Sequence, residues 1–276
     1  MTFAQAPFLP QIVGIVNVTP DSFSDGGKYL TAQEAIKKAY NLAEEGADII
    51  DIGAESTGPN SKPISAEEEW RRLEPVLKVV ARDLTISVDT YKAETASRAL
   101  QLGSNFINDV SALRADRSMA KVIADAGCKL VLMHSKEVDG KPHVSGSDRV
   151  YDDVVKEITE FFLQRVQYCL ENGIKRENII LDPGIGLFLS KDESYSWQVL
   201  SRIAEFRTLN LPIFIGVSRK GFLRNAEKSS ASDRDPVSAL IGVHLACSGV
   251  SYIRTHNVKL TKEFLATWNK LTVTNQ

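Results

Sequence analysis

Gln11-Ile12-Val13-Gly14-Ile15-Val16-Asn17-Val18 decides between two architectures. The run is apolar and β-branched, as a strand covered on both faces must be, and it ends on a polar amide. A doubly wound sheet carries a Gly-x-Gly-x-x-Gly phosphate turn after its first strand. Gly14-Ile15-Val16-Asn17-Val18 does not have that pattern. Seven similar runs follow, at residues 48–53, 84–88, 105–108, 129–133, 178–181, 212–216 and 251–254. A helical pattern separates each run from the next, as parallel crossovers require. Eight βα units in 276 residues predict an α/β protein with one domain over 1–276, a (β/α)8 TIM barrel with its core at about 12–270.

The helices are marked by their ends. Thr31 with Glu34 and Ser65 with Glu68 have the spacing of capping boxes, and Gly46 is placed to end the first helix. Further helices are expected over 92–100, 117–126, 151–171, 195–209, 236–248 and 259–271. Trp70, Trp197 and Trp268 read as helix-packing residues, and His134 and His244 as structural.

The bulk composition narrows the function. A net charge of −2 with no basic run argues against nucleic acid as a partner. No apolar run reaches the roughly 18 residues of a membrane helix, and the first residues carry no secretory pattern, so a cytoplasmic protein is expected. Cys128, Cys169 and Cys247 fit neither a zinc signature nor a disulfide framework and read as buried thiols in a reducing compartment.

Barrel enzymes place their chemistry at the C-terminal ends of the strands. Here those ends carry Asn17, Glu55-Ser56-Thr57, Asp89-Thr90, Asn108-Asp109, Met133-His134-Ser135, Asp182-Pro183-Gly184, Ser218-Arg219-Lys220 and Arg254-Thr255-His256. Each alone has a structural reading as turn, cap or solvated exit. Together they set acceptors (Asp89, Asn108, Asp182) against donors and positive charge (Lys220, Arg254, His256) around one rim. The acceptors suit a flat heterocycle rich in N–H groups, and the donors suit phosphate or diphosphate. Asn17 offers a neutral oxygen to Mg²⁺, which keeps its waters and leans on substrate phosphates.

These residues resemble the dihydropteroate synthase family. Gly14-Ile15-Val16-Asn17-Val18-Thr19-Pro20-Asp21-Ser22-Phe23-Ser24-Asp25-Gly26-Gly27 is similar to its first signature and Asp51-Ile52-Gly53-Ala54-Glu55-Ser56-Thr57 to its second. The later blocks follow in order to Arg254-Thr255-His256. The resemblance implies a homodimeric barrel joining dihydropterin-6-ylmethyl diphosphate to 4-aminobenzoate in folate synthesis, with Mg²⁺. It implies a pterin held by Asp89, Asn108, Asp182, Lys220 and Arg254. It implies Asn17, Thr57, Arg254 and His256 for the diphosphate and its metal, with Asn17 as metal ligand. It assigns Asp25, Lys220, Arg254 and His256 to catalysis, and Pro59, Phe188, Lys220 and Gly221 to the 4-aminobenzoate pocket.

The chain departs from the family pattern at four places. Ser-Thr-Arg-Pro-Gly becomes Ser56-Thr57-Gly58-Pro59-Asn60, which removes a guanidinium from the second loop. Gly-Phe-Gly-Lys becomes Gly186-Leu187-Phe188-Leu189-Ser190, Ser-Arg-Lys-Ser becomes Ser218-Arg219-Lys220-Gly221, and Arg-x-His-Asp becomes Arg254-Thr255-His256-Asn257. The 187–190 stretch, and Met133-His134-Ser135 with Asp139-Gly140, look more like the sulfonamide-insensitive branch. Three alternatives stay open at this point. They are a methyltetrahydrofolate-binding methyltransferase barrel, an aldolase using Lys220 as a Schiff-base amine, and a pterin-binding paralogue with little turnover.

Overall fold

All eight apolar runs form strands in the computed structural model, which describes residues 9–18, 31–56, 62–135, 149–224 and 230–273. The strands are β1 (Gln11–Asn17), β2 (Ile49–Gly53), β3 (Ile86–Asp89), β4 (Phe106–Asp109), β5 (Lys129–Met133), β6 (Ile179–Asp182), β7 (Phe214–Ile215) and β8 (Tyr252–Thr255). Each precedes a helix: α1 (Ala32–Glu44), α2 (Ala66–Val80), α3 (Ala93–Gln101), α4 (Met119–Ala126), α5 (Val154–Glu171), α6 (Ser194–Ser201), α7 (Asp235–Cys247) and α8 (Val258–Val273). The parallel sheet runs β6-β5-β4-β3-β2-β1-β8-β7. A parallel bridge between Leu181 and Ile213 joins its two ends, with the Leu181 N–H donating to the Pro212 carbonyl at 2.9 Å. The result is a single-domain (β/α)8 barrel.

Strand register determines what the interior contains. Val13, Ile49, Val131, Ile180 and Phe214 form a separate buried cluster, with Phe106 and Tyr252 packed against it. All seven share the inward parity of their strands. Two residues further along six of these strands the same parity gives Ile15, Asp51, Asn108, Met133, Asp182 and Arg254. Asp89 enters beside Asn108, and a further step reaches Asn17 and His256. The barrel therefore has an apolar floor beneath a polar layer at its C-terminal mouth. The outward-facing strand residues, such as Ile50, Ile107 and Leu130, pack with the helices in the main core.

Several local expectations hold in detail. The Thr31 N–H donates to Glu34 Oε2 at 2.8 Å and the Glu34 N–H to Thr31 Oγ1 at 3.2 Å, a complete capping box. Gly46, at φ +100°, ends α1 with its N–H on Ala43 and that of Ala47 on Leu42, the Schellman pairing.

Other expectations needed correction. Ser65 caps α2, accepting from the Glu68 N–H at 3.2 Å, but the Glu68 carboxylate turns to Arg71 and Arg72. The helix expected over 195–209 breaks at Arg202 (φ −108°, ψ 14°), and residues Ile203–Leu209 continue as a 3-10 helix. Cys169 is buried, but Cys128 is only half-buried and Cys247 is exposed; all three are free thiols. Trp70 is a core residue, whereas Trp197 is 45% exposed with its ring edge-on to Phe222. The His244 ring bonds the Leu200 carbonyl at 2.9 Å, a structural role. No helix among the described residues is long and apolar enough to cross a membrane.

Candidate active site

Arg254 organises the polar layer. Its Nε donates to Asp51 Oδ2 at 2.6 Å and its Nη2 to Asp89 Oδ2 at 3.1 Å. Asn108 Nδ2 donates to the same Asp51 oxygen at 3.2 Å. Burial works against the guanidinium charge, but Asp51 and Asp89 outweigh it and hold Arg254 above its ordinary range. Asp51 was not among the residues expected in the site. Its signal is present, because a carboxylate inside the apolar run Ile49-Ile50-Asp51-Ile52 has inward parity and must meet a cation there. Asp51 Oδ1 and Asn108 Oδ1 are buried with no hydrogen-bond partner among the described residues, so both remain open to a donor.

Asp182 is both turn former and site residue. Its Oδ1 accepts from the Gly184 N–H at 2.8 Å, an Asx-type turn. Gly184 sits at φ +67°, where a Cβ would lie 2.1 Å from the His134 carbonyl oxygen, so only glycine fits. Burial raises the Asp182 carboxyl to about 6, against the pull of Lys220. Burial lowers Lys220 to about 8, opposed by Asp182. Burial also raises Asp89, with Arg254 opposing and Asp51 adding to the rise. Lys220 Nζ donates to the Ile185 carbonyl at 2.9 Å and stands 4.9 Å from the centre of the Phe188 ring.

The backbone that presents Lys220 is held in a rare conformation. Arg219, at φ +60°, is fixed by two bonds to Asp235, at 2.8 and 3.0 Å. Asn257 Nδ2 donates to the same Asp235 at 3.1 Å, while its Oδ1 accepts from the Leu260 N–H and caps α8. An aspartate at 257 would supply the cap but would set a second carboxylate against Asp235, which accounts physically for the amide.

His256 supplies an N–H rather than the positive charge expected of it. Ser218 Oγ accepts from the His256 backbone N–H at 3.1 Å and lies 3.0 Å from Nδ1. A hydroxyl proton donated to Nδ1 would leave the ring proton on Nε2, the tautomer adopted below. Burial, with Arg219 and Arg254, lowers His256 well below the ordinary histidine range, so it is neutral.

Asp109 and His134 stay outside this chemistry. Asp109 accepts from the Ser111 and Leu113 N–H groups, both at 2.8 Å, and holds the turn containing Ala112 and Leu113, both at positive φ. His134 is buried edge-on to Phe161, and burial lowers it to about 3. Asp89, Asn108, Asp182, Lys220 and Arg254 thus converge, with Asn17 and His256 on the adjoining strand ends. Phe188 and Gly221 lie beside Lys220. Asp25, Thr57 and Pro59 fall outside the described residues.

An acidic pocket lined with acceptors above an apolar floor, flanked by N–H donors, describes a heterocycle-binding transferase barrel. Residues 13–256 match the family described as "Pterin binding enzyme". The chain is 38% identical to the dihydropteroate synthase of Escherichia coli K12 over 267 residues, covering 95% of this chain and 93% of the relative. The Xanthomonas albilineans dihydropteroate synthase, solved with 4-aminobenzoic acid, superposes with a TM-score of 0.85 at 35% identity, covering 95% and 93% of the two chains. The Anaplasma phagocytophilum enzyme, solved with 6-hydroxymethylpterin-monophosphate, gives a TM-score of 0.83 at 36% identity, covering 95% and 99%. The chain belongs to the dihydropteroate synthase family, transferases of the pterin-binding class.

Removing Asp51 tests the organisation of this layer. Asp51→Ala leaves Arg254 Nε and Asn108 Nδ2 without their buried acceptor and is expected to cost about 2–3 kcal/mol. Urea unfolding reads this directly; a midpoint equal to that of the parent contradicts the anchoring role.

Proposed function

We propose that this protein joins (7,8-dihydropterin-6-yl)methyl diphosphate to 4-aminobenzoate, giving 7,8-dihydropteroate and diphosphate in folate biosynthesis. The observation that carries the reading is the acceptor layer of Asp89, Asn108 and Asp182 around Arg254. The N–H edge of a pterin fits these acceptors, and Lys220 and Arg254 serve the ring's own acceptors. Asn17, Arg254 and His256 serve the diphosphate, His256 through its Nε2–H.

The polar layer suits a dissociative displacement. Loss of diphosphate leaves positive charge on the pterin methylene carbon. Asp51, Asp89 and Asp182 line this layer with acceptor oxygens, which favour that positive charge. The aromatic amine attacks in its neutral form, so no strong base is required. Catalysis is assigned to Lys220, Arg254 and His256, together with Asp25 in the first loop.

Mg²⁺ fits as a companion of the diphosphate. Among the described residues no group of three acidic, histidine or cysteine side chains could hold a metal, so the ion would lean on the substrate phosphates. Asn17, a neutral amide at inward parity, would hold the ion, which would neutralise charge on the leaving group. We read the whole of 1–276 as one domain. We infer a homodimer, as the family resemblance implies. A cytoplasmic location agrees with the three free thiols.

The finer reading is sulfonamide insensitivity. Phe188 closes over Lys220 and Gly221 replaces a hydroxyl-bearing neighbour, which reshapes the 4-aminobenzoate pocket that such drugs share. Sulfamethoxazole is expected to inhibit this enzyme less than the Escherichia coli enzyme at matched 4-aminobenzoate. Equal inhibition refutes this reading.

The direct test of the activity is a coupled assay of the purified protein with both substrates, with and without Mg²⁺. Absence of dihydropteroate refutes the proposal. In that assay Lys220→Ala and Asp182→Ala should each lower kcat/KM at least ~100-fold, a barrier change of about 2.7 kcal/mol. Near-parental turnover in either variant contradicts the site.

The pH dependence follows from Asp182. Burial raises its folded carboxyl from 3.8 to about 6, so the stability cost is absent below 3.8, grows between 3.8 and about 6 and is complete above that. Protonation turns one of the Asp182 acceptor oxygens into a donor, so the ionised form binds the pterin N–H edge better. Pterin affinity, measured by calorimetry, should fall as the pH drops through about 6, in addition to any change that Asp89, raised to about 7, contributes above it. Asp182→Asn should flatten that slope; an unchanged slope in the variant assigns the titration elsewhere.

A further inference from the structure

Relative to the family pattern the chain lacks a guanidinium at Gly58 and a hydroxyl at Gly221. The structure places another guanidinium in the space that Gly221 opens. Residues Gly221–Leu223 make a single 3-10 turn directly after Lys220. At its end both the backbone N–H and the Nε of Arg224 donate to the Gly221 carbonyl, at 3.2 and 3.0 Å. The guanidinium thus folds back over Gly221, and a Cβ at 221 would stand 3.2 Å from Arg224 Nη2. Any side chain at 221 would press on this arrangement.

The surroundings form an aromatic pocket edge. Lys220 stands over Phe188, and a Cβ on Gly186 would touch both Lys220 Cδ (3.5 Å) and Phe222 Cδ1 (3.7 Å), so the loops after β6 and β7 meet there. Trp197 lies edge-on to Phe222, 5.2 Å between ring centres. No ion pair is recorded for Arg224 among the described residues. The charged group it acts on is another cation, Arg234, whose Nε is buried without a partner. Burial and then Arg224 lower Arg234 below its ordinary range, with Asp233 opposing and Arg219 adding to the fall. A guanidinium beside an aromatic edge suits an anion carried on a flat ring.

We propose that Arg224, exposed and with its Nε fixed on the Gly221 carbonyl beside Lys220, recognises the carboxylate of the aromatic amine substrate. The inference rests on the reaction proposed above. It concerns the aromatic acid and not the diphosphate, because Arg224 belongs to the β6–β7 side of the mouth whereas Asn17 and His256 lie at β1 and β8. Arg224 is a specificity residue: it binds the charged end of the nucleophile and takes no part in breaking the C–O bond.

The test compares 4-aminobenzoate with its neutral isostere 4-aminobenzamide, using dihydropterin diphosphate as the common partner. The parent enzyme should prefer the acid. Arg224→Gln should raise KM for 4-aminobenzoate roughly 10- to 100-fold and bring the acid-to-amide ratio of kcat/KM close to one. Arg224→Lys, which keeps the charge but loses the fork, should recover part of the preference. An unchanged KM and ratio in Arg224→Gln, or a parent enzyme that does not distinguish acid from amide, overturns the proposal. A rise confined to KM for the pterin diphosphate overturns it as well, because the guanidinium would then serve the other anion. If the parent enzyme turns over neither amine, the proposed reaction itself fails and this inference falls with it; parental turnover with an indifferent Arg224→Gln removes this inference alone.

Discussion

The ion pair between Arg254 and Asp51 is the constraint on which the rest of the mouth depends. Asp51 is fully buried, and its neighbours in the layer include Asp89 and Asp182. Three carboxylates in one low-dielectric cavity repel each other, and the Arg254 guanidinium offsets that repulsion. Burial, and after it the neighbouring carboxylates, raises Asp89 and Asp182 even with Arg254 and Lys220 present. By taking one oxygen each from Asp51 and Asp89, Arg254 also fixes where the remaining oxygens point. Asn108 is drawn into the same geometry because its amide N–H₂ shares the Asp51 oxygen, which turns its carbonyl oxygen into the open acceptor.

Much of this arrangement was legible in the sequence because a strand has a period of two. Once β1 is anchored by Val13 on the barrel floor, Asn17 must point the same way, and the same count places Asp89, Asn108, Asp182 and Arg254. The fold was legible for the same reason: strands, the Thr31 box and the Gly46 stop are all set by residues within a few positions of each other. What escaped was pairing at long range. Asp51 meets Arg254 across 203 residues, and Asn257 meets Asp235 across 22, so nothing local announced either contact. Asn108-Asp109 shows the limit from the other side. Adjacent residues on a strand face opposite ways, so one enters the site and the other holds a turn, although both are polar and both end β4.

The departures from the family pattern divide by physical consequence. Asn257 is accounted for entirely within the scaffold, since it caps α8 and donates to Asp235, which in turn holds Arg219 at positive φ and so presents Lys220. Gly221 is different. It lies at the surface and needs no unusual backbone, so its small size has no folding explanation; among the described residues the atoms nearest its missing Cβ belong to the Arg224 guanidinium. A substitution that leaves the fold indifferent but creates room for a charged side chain beside Lys220 points to ligand selection rather than stability.

The two halves of the mouth therefore carry opposite instructions. On the β2–β6 arc the layer is rich in acceptors. On the β8–β1 side it offers a neutral imidazole N–H and an amide, and on the β7 side two basic residues, Lys220 and Arg224. A substrate with a donor-rich ring at one end and an anion at the other can lie across this gradient in only one direction. The bond to be broken is then set at the boundary, where carboxylates favour positive charge on carbon while donors favour negative charge on the departing oxygen. The neutrality of His256 matters here: a permanent imidazolium at that edge would offset the carboxylates before any bond had stretched, whereas an Nε2–H strengthens its contact as negative charge builds on the leaving group.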